Sequence, residues 1–350
     1  TLYRSSAASD VYKRQTHTGA GMCPGFVDGG DATVRRRDGR TPSMTSSGEP
    51  KLAVGPEPVR DWVREAVEAG GARIVPVDRA EGLIWARPTG ADELVATLAD
   101  GPDVRWVQTP FAGVEPLIHL MDDGRTWTCG KGVYAEPVAE MALTLALAGL
   151  RGFGTYARAR TWERPRGINL LGATVTILGG GGITESLLRL LAPFRCEVTV
   201  VRRSGAPMDG AARVVDPDGI AELLPGTDLV VLALALTPET EGIIGAPELA
   251  ALSETAWLVN VARGRHVQTD ALVAALASGS IGGAGLDVVE PEPLPDGHPL
   301  WAEPRCLLTP HVGNTPRMAV PLLSARITEN VRRFAAGEPL LGLVDPGAGY

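Results

Sequence analysis

The 350-residue chain is poor in the groups that mark a metal protein, a disulfide scaffold or a membrane protein. Its four cysteines, Cys23, Cys129, Cys196 and Cys306, are scattered, with neither metal-ligand spacing nor a disulfide framework. No apolar run is long enough to span a bilayer. The longest, Met141 to Leu150, is broken by Thr144 and Gly149. Positive charge is not in excess: the net charge of −8 disfavours broad nucleic-acid binding. No secretory pattern opens the chain, so the cytoplasm is the expected compartment. What remains, 44% hydrophobic and 21% charged residues, suits a soluble globular protein long enough for two domains.

Residues 1–43 carry no periodic apolar pattern and hold seven Arg/Lys against four Asp. The string Asp10-Val11-Tyr12-Lys13-Arg14-Gln15 resembles the in-frame translation of a sequencing-library adaptor. The segment reads as an artefactual leader, with Met44 the natural start, or as a disordered basic tail. The cluster Arg35 to Arg37 is then a solvated charge run.

From Lys51 onward, strand and helix signals alternate. Strands are expected at 51–55, 73–77, 83–86 and 104–109, with helices at 59–69 and 91–98. Val133 to Arg158 reads as one long helix, and Trp162 to Gly172 as a linker. A second series predicts strands at 174–178, 197–202, 228–234, 256–262, 282–288 and 306–309. A last helix, Thr315 to Ala336, is long enough to cross back, and Leu340 to Val344 can add to the first region. This alternation implies parallel βα units. The expected division is 44–150 with 325–350 as the substrate-binding domain, and 151–324 as the inserted dinucleotide-binding domain.

The apolar run Val175-Thr176-Ile177-Leu178 enters Gly179-Gly180-Gly181-Gly182-Ile183-Thr184, and a helical pattern follows. Gly179 permits a tight turn. Gly181 lets backbone approach a pyrophosphate, which then sits at the helix N-terminus beside Gly182 and Ile183. Thr184 stands where a third glycine normally allows close helix–strand packing, so the helix is expected slightly farther out. Four consecutive glycines can also be a flexible loop. The ribose-reading position lies 23 residues after Gly179, at Arg202. Arg202, Arg203 and Ser204 stand where an acidic residue usually reads NAD. They suit a 2′-phosphate and favour NADP(H) over NAD(H), unless the arginines are merely solvated.

Three later segments each end an apolar, β-branched run with a titratable residue: Val259 to Gly264, Gly285 to Pro293, and Thr309 to Gly313. Strand ends of an open α/β sheet are where function sits. These supply an arginine for a carboxylate, a glutamate, and a histidine for acid–base work. The interconversion of a 2-keto acid and a 2-hydroxy acid needs that set.

Together with Leu236-Thr237-Pro238-Glu239-Thr240, Trp106 to Val114 and Gly132-Val133-Tyr134, these segments resemble the D-isomer-specific 2-hydroxyacid dehydrogenase family. Within it they are most similar to the glyoxylate/hydroxypyruvate reductases. The similarity runs from about Lys51 to the end. It implies a Rossmann-type doubly wound sheet inserted in a smaller flavodoxin-like α/β substrate domain. It also implies Arg263 as the carboxylate fork, His311 as the proton donor and Glu292 as its partner, with Glu290 competing for that place. The cofactor set implied is Leu236, Thr237, Val261, Ala262, Arg263, Asp287, His311 and Gly313, with Asp287 facing the nicotinamide carboxamide. Backbone N–H groups of Ala112, Gly113 and Val114, and the side chain of Arg87, would meet the substrate. The implied activity is reduction of a small 2-keto acid by a homodimer. A dinucleotide-sensing protein like the family's corepressors, or a short phosphoglycerate dehydrogenase-like enzyme, is the alternative. Of the other histidines, His17 falls in the leader and His119 in a helical pattern, where it is expected to be structural. His266 is expected near the cleft and His298 near its mouth.

Overall fold

The structure is a computed structural model that describes residues 48–87, 89–121 and 124–347. The leader 1–43, with His17 and Cys23, and the expected start Met44 lie outside the described residues. The first sheet is wholly parallel. Its strands are β1 (Lys51–Gly55), β2 (Arg73–Ile74), β3 (Gly82–Trp85), β4 (Trp106–Gln108) and β5 (Thr126–Thr128). They lie in the order β2-β1-β3-β4-β5, the flavodoxin-like order. Side chains alternate across each strand, so Leu52 and Ile84 face one core while Ala53 and Leu83 face another. Helix α1 (Asp61–Ala69) covers the first face with Val63 and Val67. Helix α2 (Ala91–Ala99) covers the second with Leu94 and Leu98.

The predicted single helix 133–158 is two: α3 (Ala135–Leu150) and α4 (Phe153–Arg158). Gly152 sits between them with φ +68, a left-handed conformation that ends the first helix. The second sheet follows, with β6 (Thr174–Leu178), α5 (Gly182–Leu191), β7 (Glu197–Val201), β8 (Arg213–Val215), α6 (Ile220–Leu223) and β9 (Leu229–Leu232). Then come α7 (Ala246–Ala251), β10 (Trp257–Asn260), α8 (Thr269–Ser278), β11 (Gly283–Leu286), α9 (Pro299–Ala302) and β12 (Cys306–Leu308). The order is β12-β11-β10-β9-β6-β7-β8, again all parallel. Both faces are covered, which is why these strands read as continuous apolar runs. Val175, Ile177 and Val259 pack under α3 and α5, whereas Val230, Leu232 and Leu258 pack under α7 and α8. Each fully buried Leu or Val in these layers contributes roughly 1.5–3 kcal/mol.

Helix α10 (Pro316–Ala336) leaves the second sheet and returns to the first. Its Ile327, Val331 and Phe334 join the core of Leu52, Val63 and Trp106. The following segment then pairs with β5: Leu343 bridges Thr128 antiparallel, and the Val344 N–H donates to the Trp127 carbonyl at 3.0 Å. Helix α3, grouped by sequence with the first half of the chain, packs instead under the second sheet through Ala139, Leu145 and Ala146.

Candidate active site

The second sheet reverses direction of progress between β6 and β9, and the functional loops leave from that end. At Gly179 the backbone has φ +109, and a Cβ there would stand 2.2 Å from the Ala233 carbonyl oxygen at the exit of β9. Only glycine closes this turn. Gly181 is the N-cap of α5 and has open space where a Cβ would be. Gly182 and Ile183 open the ten-residue helix, whose terminus favours an anion. Thr184 is accommodated rather than excluded: it is fully buried, and its hydroxyl donates to the Gly179 carbonyl at 2.8 Å. The hydroxyl thus satisfies itself inside the turn it would otherwise crowd. Arg202 leaves β7 against the turn, with Cδ 2.6 Å from where a Gly180 Cβ would stand. Arg203 and Ser204 follow, both exposed. Leu236 and Thr237 lie on the loop after β9. That loop is closed by the Thr240 hydroxyl, which donates to the Ala235 carbonyl and accepts from the Thr237 N–H, both at 2.8 Å. A tight glycine turn with room above it, a helix N-terminus and a cationic strand end fit a dinucleotide phosphate.

Strand β10 ends at Asn260, which is fully buried. Its amide organises the exit: Oδ1 accepts from the Ala262 N–H at 3.0 Å, and Nδ2 donates to the Arg263 carbonyl at 2.9 Å. Val261 and Ala262 are buried, and Arg263 is turned outward. The Arg263 Nε donates to Glu115 at 3.1 Å and Nη1 to the Ala262 carbonyl at 2.7 Å. Its Nη2 lies over Gly113, only 2.0 Å from where a Cβ of that residue would be. The arginine therefore spans from the second sheet to the loop leaving β4. The N–H groups of Ala112, Gly113 and Val114 donate to no protein acceptor among the described residues. Unengaged N–H donors beside a guanidinium are groups to which a carboxylate could bind.

Behind Arg263 sits His266, fully buried. Nδ1 lies 3.2 Å from the Arg263 N–H nitrogen and 3.1 Å from the Arg263 carbonyl oxygen, and Nε2 lies 3.3 Å from the Ala235 carbonyl oxygen; a neutral ring with its proton on Nε2 accepts from the Arg263 N–H and donates to Ala235. Burial pushes its pKa below the ordinary histidine value, favouring this neutral form.

His311 Nδ1 lies 2.7 Å from Glu292 Oε1. Glu290 is exposed and makes its bond through its carbonyl, to the Thr269 hydroxyl at 2.7 Å. The backbone at His311 has φ +53, a strained conformation for a non-glycine residue. Asp287 holds it there. The Asp287 carbonyl accepts from the His311 N–H at 2.8 Å. Oδ1 accepts from the Thr309 hydroxyl at 2.6 Å and the Val312 N–H at 2.9 Å, and Oδ2 from the Gly313 N–H at 2.8 Å. The family resemblance implies that Asp287 faces the nicotinamide carboxamide. In the structure it is 3% exposed and committed to the histidine turn, which leaves one lone pair on Oδ2 for any other donor.

Two expected residues stand apart. Arg87 bonds Glu93 at 2.6 Å, at the start of α2, and no hydrogen bond among the described residues links it to Arg263 or His311. His119 is exposed on a short 3-10 turn rather than structural. His298 caps α9, accepting from the Leu300 N–H at 3.3 Å. A concavity of about 500 Å³ opens at the edge of the first sheet between Pro56, Arg64, Val77 and Glu93, and none of Arg263, Glu292 or His311 lines it. Sequence reasoning missed Glu115, because nothing local ties a lone carboxylate to an arginine 148 residues away.

A protein-family model described as D-isomer specific 2-hydroxyacid dehydrogenase, NAD binding domain, matches residues 141–313. The human protein named glyoxylate reductase/hydroxypyruvate reductase is 36% identical over 272 residues, 75% of this chain and 83% of that protein. Glyoxylate/hydroxypyruvate reductase A of Klebsiella pneumoniae (strain 342) is 31% identical over 302 residues, 83% of this chain and 91% of that protein. Among solved structures, a D-isomer specific 2-hydroxyacid dehydrogenase from Xanthobacter autotrophicus Py2, in complex with NADPH and MES, superposes with a TM-score of 0.75. Its identity is 30%, over 87% of this chain and 100% of that one. The chain belongs to the D-isomer specific 2-hydroxyacid dehydrogenases. It is an NAD(P)-dependent α/β oxidoreductase with a nicotinamide dinucleotide site on its second sheet.

Proposed function

We propose that this enzyme reduces a small 2-keto acid, of the size of glyoxylate or hydroxypyruvate, to the D-2-hydroxy acid. NADPH is the preferred reductant. The observation that carries the reading is the Glu292–His311 bond at 2.7 Å, two strand ends from Arg263. With Nδ1 engaged by Glu292, Nε2 is the ring nitrogen left to give a proton to the substrate's carbonyl oxygen. Arg263 and the unengaged N–H groups of Ala112 to Val114 bind the carboxylate, which fixes the carbonyl relative to His311. When bound, the reduced nicotinamide supplies the hydride that the carbonyl carbon receives. Glu292 orients His311, and Asp287 keeps its backbone in place. The substrate-side domain is the first sheet with α10 and the C-terminal segment, and the cofactor domain is the second sheet.

The NADPH preference is supported by Arg202 and Arg203 at the end of β7, and NADPH is the ligand named for the Xanthobacter relative. A cytoplasmic setting suits Cys129, Cys196 and Cys306, all free thiols. No helix among the described residues is long and apolar enough to cross a membrane. A homodimer is supported by the exposed Phe153 and Tyr156 on α4 and Trp162 and Leu171 in the segment leading to β6, which light scattering tests directly.

The test is a panel of small 2-keto acids with NADPH and with NADH, following nucleotide oxidation and the chirality of the product. Turnover of glyoxylate or hydroxypyruvate with higher kcat/KM for NADPH is expected. Nucleotide binding without turnover across the panel would overturn the reading in favour of a sensor.

A further inference from the structure

We propose that His266 is a positioning residue that locks the substrate-binding arginine to the loop carrying the cofactor residues. The inference rests on the reading of Arg263 as the carboxylate fork. Its imidazole bridges main chain at two different strand exits: Nδ1 sits against the Arg263 backbone after β10, 3.2 Å from the N–H nitrogen and 3.1 Å from the carbonyl oxygen, and Nε2 lies 3.3 Å from the Ala235 carbonyl after β9. Ala235 directly precedes Leu236 and Thr237, and its carbonyl also receives the Thr240 hydroxyl at 2.8 Å. The ring is therefore a rigid strut between a carboxylate site and a closed cofactor loop.

The turn itself does not need the ring. The His266 N–H donates to the Arg263 carbonyl at 3.2 Å, and the His266 carbonyl accepts from the Ile244 N–H at 3.0 Å. The neighbouring Gly242 N–H donates to the Arg265 carbonyl at 2.8 Å, and Ile244 pairs with Val267. With the main chain pinned independently, the two ring bonds are free to set where Arg263 and Ala235 stand. The fully buried ring is also partnered on both nitrogens, which offsets the cost of removing a polar ring from water. An apolar side chain would fill the space without that cost, so the pair of bonds is what a histidine adds here.

The two bonds can be separated. In His266→Asn the side-chain oxygen stands near the Nδ1 position and keeps the Arg263 contact. In His266→Gln the longer side chain reaches toward Ala235 and gives up Arg263. The full chain of each variant is assayed for keto-acid KM and kcat, for NADPH affinity by calorimetry, and for melting temperature. His266→Gln is expected to raise the keto-acid KM about tenfold while kcat stays within about threefold. His266→Asn is expected to keep the keto-acid KM and weaken NADPH binding by about three- to tenfold. Arg263→Lys is measured in parallel. A raised KM in Arg263→Lys, with both His266 variants within twofold of the unsubstituted enzyme in keto-acid KM and NADPH Kd, would overturn the strut alone. An unchanged KM in Arg263→Lys would overturn the carboxylate reading and the strut with it. A parallel fall of kcat and melting temperature, with KM and Kd unmoved, would assign His266 to folding only.

Discussion

Gly113→Ala isolates the carboxylate site with one methyl group. The new Cβ would stand 2.0 Å from Arg263 Nη2, 2.7 Å from Glu115 Oε2 and 3.1 Å from Arg263 Cζ. Non-bonded atoms settle about 3.5 Å apart, so the guanidinium must retreat by roughly 1.5 Å. Both obstructing groups are ends of flexible side chains about one-third exposed, at 35% and 36%. The fold yields easily, and stability should change by no more than about 0.5 kcal/mol. The site does not yield as easily, because a 1 Å misplacement costs on the order of 100-fold, about 2.7 kcal/mol of transition-state binding. Steady-state kinetics with glyoxylate should show kcat/KM lowered about 100-fold, chiefly through KM, with an unchanged melting curve. In an Arg263→Ala background the same methyl should cost almost nothing further, since coupled residues are not additive. An unchanged kcat/KM in Gly113→Ala would refute the carboxylate site.

His311→Ala should lower kcat by roughly 10²–10⁴-fold with little change in NADPH affinity, measured by single-turnover kinetics. Glu292→Gln should lower kcat by about tenfold or more, whereas Glu290→Gln should leave it as it is. Arg202→Ala combined with Arg203→Ala should raise the KM for NADPH roughly 10- to 100-fold and leave that for NADH nearly constant. Acid stability offers a check remote from the site. Hydrogen bonds from Arg332 and Arg333 hold the Glu329 carboxyl down from 4.5 to about 2. A lowered carboxyl pKa stabilises the fold above the unfolded value, and that contribution is lost as pH falls from about 4.5 through about 2. Glu329 is one-third exposed, so screening keeps its share below about 1 kcal/mol. Urea unfolding of Glu329→Gln should differ from the unsubstituted protein at pH 6 and converge with it near pH 2.

The strands that lie under helices on both faces were readable, because their apolar runs are unbroken. β1 and β6 fall at the expected residues, Lys51–Gly55 and Thr174–Leu178. β5 and β8 were not seen. Each has three residues at the edge of a sheet, too few to show a period. The break after α3 was hidden because helical spacing continues through Gly152, and only its left-handed backbone ends the helix. At the site, Arg263 and His311 were legible because each follows an apolar run, whereas Glu292 was implied only by the family resemblance, with Glu290 in competition. Arg87 also follows a strand, β3, and its side chain pairs with the nearby Glu93 at the start of α2.

By itself, the order of apolar runs and their terminal residues determined the two-sheet architecture, the glycine turn and the family, since those depend on local periodicity and on residues close in sequence. Tertiary structure alone decided which groups meet. It paired Glu292 rather than Glu290 with His311, bound the Asp287 carboxylate to the histidine turn, and set Glu115 and His266 around Arg263. Those choices turn on distances of a few ångströms between strand exits, and such distances exist only once the sheets have packed.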